Sequence, residues 1–142
     1  MLTHYLETAN KLLSDLIDTT KNDIADIKEA KHDSVFTRTK IKDELVRNFE
    51  NHKSLIDNEI IKKATANDGV ALEDLLSEYE MSLLDTMRQK LAELQKVNKH
   101  FASMVIAISE LYNSLLNRIV PSEQVGYEKS RVQYASMLQI KG

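Results

Sequence analysis

The sequence predicts an all-α fold, an antiparallel three-helix bundle or coiled coil with a long third helix and a C-terminal tail. Two observations carry that prediction. Only three glycines, one proline and no tryptophan occur in 142 residues, a composition that suits helix packing better than a domain rich in loops. Apolar residues also recur at steps of three and four over most of the chain, the spacing that keeps them on one face of a helix.

The first helix is expected over residues 2 to 31, with Leu2, Leu6, Ala9, Leu13, Leu16, Thr20, Ile24 and Ile27 forming its stripe. His32-Asp33-Ser34 follows, and Asp and Ser are good N-cap residues because their side chains accept from the free N–H groups of a first turn. The second helix is therefore placed at 34 to 65, with Ile41, Leu45, Phe49, Ile56 and Ile60 inward and His52 at the edge of the stripe. No glycine or proline separates these two segments, so a single helix through residue 64, paired with other chains, is the competing arrangement. The run Ala64-Thr65-Ala66-Asn67-Asp68-Gly69 is the clearest turn, since Asn, Asp and Gly tolerate positive φ or bond their own backbone.

Residues 70 to 120 contain neither glycine nor proline and are expected to form one helix, roughly 75 Å long at ~1.5 Å per residue. Its stripe runs from Leu72 through Leu83, Leu94, Asn98 and Phe101 to Ile119. Ten of the thirty residues from 71 to 100 are charged, but only Glu110 and Arg118 of the twenty from 101 to 120. The apolar surface thus widens toward the C-terminal end, and a helix apolar on most sides is expected to be covered. If the third helix runs antiparallel to the second, it passes the start of the second near residue 101. Everything beyond would overhang, and an uncovered apolar stripe is normally a surface where another chain binds. The candidate binding residues are Phe101, Met104, Val105, Ile108, Leu111, Tyr112, Leu115 and Ile119, with Asn98 as a polar residue that sets register or marks the partner groove.

Pro121 is expected to stop this helix, which bounds a helical domain at 1 to 120 and a tail at 121 to 142. Tyr127, Tyr134 and Leu138 lie in a weakly amphipathic part of that tail. They are expected either to fold back over the overhang or to order on a partner.

Composition excludes several functions. Without cysteine there are no disulfides, thiolate nucleophiles or cysteine zinc sites, which agrees with a reducing compartment. Residues 1 to 7 lack a basic region followed by an apolar core, so no signal peptide is expected and the cytoplasm is the expected location. Glu110, Asn113, Asn117 and Arg118 interrupt the ~20 residues that a membrane span requires. A net charge of −3 with lysines scattered among acids argues against nucleic acid. The groups Lys42-Asp43-Glu44 and Arg88-Gln89-Lys90 read as solvated faces. The four histidines show no metal spacing, so neither metal nor cofactor is expected. With no phosphate loop and no nucleophile elbow either, the chain reads as a binding protein and not an enzyme.

Ala92-Glu93-Leu94-Gln95-Lys96-Val97-Asn98 resembles the Leu-Asn-x-x-Asn run in the long third helix of the FlgN family of flagellar export chaperones, with Asn98 at the second asparagine and Gln95 in place of the first. Lys42 followed by Leu45 and Phe49 is similar to the Lys-x-x-Leu pattern of that family's second helix. Gly126-Tyr127 is similar to a tail Tyr-Gly with its order reversed. The resemblance implies a small, acidic, cytoplasmic, all-helical chaperone. Its partners would be flagellar hook-filament junction (hook-associated) proteins, whose amphipathic C-terminal helix it would hold and pass to the flagellar type III export gate. An exposed groove with anchors one turn apart is what such recognition needs. The alternative is a structural homo-oligomer, for instance a homodimer whose overhangs pair with each other. A bend near residues 100 to 102 that buries the stripe within the chain ranks third, since no breaker lies there.

Overall fold

The computed structural model describes residues 1 to 119, all helix and connecting turn. Four helices follow in order: α1 (Leu2–Lys28), α2 (His32–Ala66), the single turn α3 (Leu72–Leu75) and α4 (Glu78–Ile119). Helix α1 is the central element and packs closely on both α2 and α4. Thr3 bonds Glu80, Ser14 meets Lys90 and Lys21 pairs with Glu93, so α1 and α4 run in the same direction. Asp23 meets Arg38 while Tyr5 faces His52, so α2 runs against α1.

Every residue of the predicted first stripe is buried, from Leu2 to Ile27. Strict alternation of fours and threes along α1 gives positions 2, 6, 9, 13, 16, 20, 23 and 27, all buried, which is the heptad seam of a coiled coil. Helix α2 follows the same rule more thinly. Val35, Phe49 and Ile56 are its buried residues, spaced in multiples of seven, and Lys42 occupies the slot between Val35 and Phe49. Ile41, predicted to face inward, is half exposed because its neighbour Lys42 takes the seam. At one end Leu2, Leu6, Ala9 and Leu13 cluster with Phe49, Ile56 and Leu76. Each of the larger side chains contributes roughly 1.5 to 3 kcal/mol by leaving water.

The turns differ from expectation at both junctions. Helix α1 stops at Lys28 rather than 31. Ala30 adopts φ 61°, its N–H bonding the carbonyl of Ile27 while the N–H of Lys31 reaches that of Asp26. That pair of bonds is a Schellman stop with alanine where glycine is usual. Helix α2 then starts at His32 behind Lys31, two residues earlier than predicted, and Asp33 and Ser34 lie inside it instead of capping it. The second turn lies where predicted, with Gly69 at φ 82°.

The predicted helix over 70 to 120 is divided near its start. Leu76 is extended, and Ser77 and Glu80 exchange bonds: the Ser77 N–H donates to Glu80 Oε1 (3.0 Å) and the Glu80 N–H to Ser77 Oγ (3.1 Å). This Ser-x-x-Glu capping box satisfies two otherwise unpaired donors, and Leu76 and Met81, at the two positions of a hydrophobic staple, belong to the same apolar cluster. The Thr3 hydroxyl donates to Glu80 Oε2 (3.2 Å), tying the cap to α1. These bonds, led by the Ser77 N–H, hold the Glu80 carboxyl below its ordinary value of 4.5. From Glu78 onward α4 is continuous for 42 residues, with no break near 101.

Candidate functional site

Where α1 ends and α2 begins, a second cluster forms from Ile24, Ile27, Val35, Phe101 and Val105, with Val97, Met104 and Ile108 half-buried around it. Phe101 and Val105 are only 1% and 2% exposed, and Asn98 is buried beside them. Phe101 and Val105, expected on the free overhang, therefore belong to the intramolecular core, together with Asn98, expected to set register or mark the partner groove. The reason is register. The turn, α3 and the extended Leu76 occupy residues 67 to 77, so α4 starts eight residues later than predicted. Its level with the start of α2 moves with it, from residue 101 to the neighbourhood of Val105 and Ile108. There a shallow cleft is lined by Ile27, His32, Val35, Phe36, Val105 and Ile108.

The same end of the bundle holds a charge cluster that includes Lys42, expected on a solvated face. Asp23 is completely buried. Arg38 Nη1 donates to its Oδ1 at 3.0 Å and also meets Asp26, while Lys42 Nζ reaches Asp23 Oδ2. The contacts to Asp23 Oδ2 and Asp26 Oδ2 are close ion pairs without aligned hydrogen-bond geometry. Lys42 also lies over the Phe101 ring, 4.1 Å from its centroid, a cation–π contact. Burial lowers the Lys42 pKa against the opposing pull of Asp23, and the hydrogen bond to Asp23 raises that of Arg38. Lys42 is thus a seam residue and not part of a solvated face. Lys90 departs in the same way, crossing to the Asn10 carbonyl and the Ser14 hydroxyl. One sequence signal for Asp23 existed: the four-three alternation of α1 lands on it and not on Ile24.

Among the described residues, none of α4 beyond Ile108 belongs to either apolar cluster. Eleven residues remain, roughly 16 Å of helix. Leu111 is 59% exposed, Tyr112 49% and Leu115 43%, each a large apolar side chain left in water. Tyr112 continues the row of Phe101, Val105 and Ile108, whereas Met104, Ile108, Leu111 and Leu115 make an adjacent row at steps of four and three. On the flank, Ser109 is buried and Asn113 half-buried, and Ser109 Oγ and Asn113 Oδ1 have no hydrogen-bond partner among the described residues. The candidate surface is therefore Leu111, Tyr112 and Leu115, approached by the half-buried Met104 and Ile108. Ile119 is the last residue of α4. The predicted tail contacts Tyr127, Tyr134 and Leu138 lie outside the described residues.

No group of three or more His, Asp or Glu side chains converges as metal ligands among the described residues, and none of their helices is long and apolar enough to cross a membrane. Comparison of the chain with protein-family models, with curated proteins and with solved structures returns no match.

Proposed function

We propose that the protein is a cytoplasmic export chaperone of the FlgN type. In this reading it binds an apolar amphipathic helix of flagellar hook-filament junction proteins, prevents their premature assembly and delivers them to the flagellar type III export apparatus. It acts by binding and not as an enzyme. The observation that carries the reading is the exposed row of Leu111, Tyr112 and Leu115, past the last residue that α4 contributes to either apolar cluster. Helix-in-groove recognition uses anchors at such spacing. The likeness of residues 92 to 98 to the FlgN run supplies the client class.

The test is Leu111→Asp combined with Leu115→Asp, titrated by calorimetry against a purified hook-filament junction protein. Binding is expected to disappear while circular-dichroism helicity and melting stay unchanged, because both side chains already face water. Undiminished binding would remove the row from the reading. A dimer that persists on dilution and dissociates in the same double variant would replace client capture by self-association.

A further inference from the structure

Cluster by cluster, the two halves of α2 are held differently. Phe49 and Ile56 anchor the second half in the large apolar cluster with Leu2, Leu6, Leu13 and Leu76. In the first half only Val35 is buried, and none of residues 36 to 48 is. Phe36 and Ile41 of that stretch are 44% and 50% exposed. Val35 packs with Ile24, Ile27, Phe101 and Val105, and Phe36 borders the cleft lined by Val105 and Ile108, while Arg38 and Lys42 pair with Asp23 and Asp26 and Lys42 lies over Phe101. Ion pairs removed from water gain little net free energy, since their attraction mostly offsets the hydration they lose. A segment with few buried apolar contacts opens at lower cost than the whole domain unfolds. The segment is tethered at one end by the turn that contains Ala30 in the left-handed region, where a Cβ is disfavoured, and at the other by the seated turn of α2 at Phe49.

We infer that the first half of α2, residues 32 to 47, is a displaceable cover over α4, which lifts while the second half stays seated. Lifting exposes Phe101, Val105, Ile24 and Ile27. These surfaces are continuous with the Met104, Ile108, Leu111 and Leu115 row, so the apolar face on α4 lengthens from its end back to Phe101. The charges of Arg38, Lys42, Asp23 and Asp26 return to water in the lifted form, which limits the cost of the exposed apolar surface. The opening is a property of the chain alone and does not rest on the proposed client.

The absence of cysteine makes a direct test available. A single thiol is introduced in the full chain as Val105→Cys, under the cover, or as Leu13→Cys, in the apolar cluster held by the second half of α2. Labelling by a thiol reagent is followed under native conditions. The Val105→Cys thiol is expected to react on the order of tenfold faster than the Leu13→Cys thiol, whose access requires fuller unfolding. The larger cavity left by Leu13→Cys works against this difference. Native-state hydrogen exchange of the unaltered chain provides a second readout, with residues 36 to 47 expected to exchange faster than residues 49 to 60. Equal labelling rates at the two positions, or equal protection of the two halves of α2, would overturn the inference.

Discussion

The two ends of the bundle are built from different materials. At the end that holds Leu2, Leu6, Ile56 and Leu76, the seam is apolar and α4 is started by a capping box whose glutamate also bonds Thr3. At the other end Asp23 and Lys42 sit in the same seam with Arg38 beside them, and α4 continues to the exposed Leu111, Tyr112 and Leu115. Apolar burial and caps make the first end cohesive. Charges in the second specify which faces meet while contributing less net cohesion, because hydration lost on burial offsets their attraction. The cohesive end is the platform, and the charged end leads to the candidate binding row.

The largest expected effect that breaks this contrast comes from Asp23. Asp23→Ala leaves Lys42 and part of the Arg38 contact set without their buried acceptor, and should cost about 3 to 5 kcal/mol in denaturant unfolding. Combining Asp23→Leu with Lys42→Met should recover most of that loss, because an apolar pair satisfies the same slot. A cost within experimental scatter of zero for Asp23→Ala would show that the charges do not organise this end.

At the cohesive end, Ser77→Ala removes the hydroxyl that accepts from the Glu80 N–H and should cost about 1 kcal/mol. Glu80 makes the same end pH-dependent. Its folded pKa is depressed below 4.5, so the unfolded chain binds the proton first as pH falls. The stabilisation is complete above the ordinary carboxylate range and is lost as pH falls through the folded value. Glu80→Gln should flatten that acid limb of a melting-temperature profile, and an unchanged limb would deny the carboxylate this role.

A smaller effect of opposite sign is expected at the turn between α1 and α2. Ala30→Gly relieves a Cβ held at φ 61° and should stabilise the fold by about 1 kcal/mol, less the added entropy of the unfolded chain. Thermal melting measures it, and a lower melting temperature would place the strain elsewhere.

Much of the fold was legible because helix periodicity is local. The α1 stripe, the turn at Asn67 to Gly69 and the unbroken passage through residue 101 all follow from residues within a few positions of one another. The capping box was also written in Ser77 and Glu80, but a glycine-free and proline-free run hid it. Helices can stop without either residue when an extended residue precedes a good cap. The candidate site was less legible. Which side chains of the 101 to 119 segment are covered depends on where three helices lie relative to one another. An error of eight residues in one start moves Phe101 and Val105 from surface to core.

The sequence by itself determined that the chain is helical, which face of α1 is buried and that α4 ends in an apolar segment, since spacing and composition along one helix suffice for each. Only the tertiary structure decided that Lys42 and Arg38 turn inward to Asp23 and that the uncovered row begins after Ile108 and centres on Leu111, Tyr112 and Leu115. Those outcomes depend on register between helices, which is set by the lengths of the turns and by contacts between residues far apart in the chain.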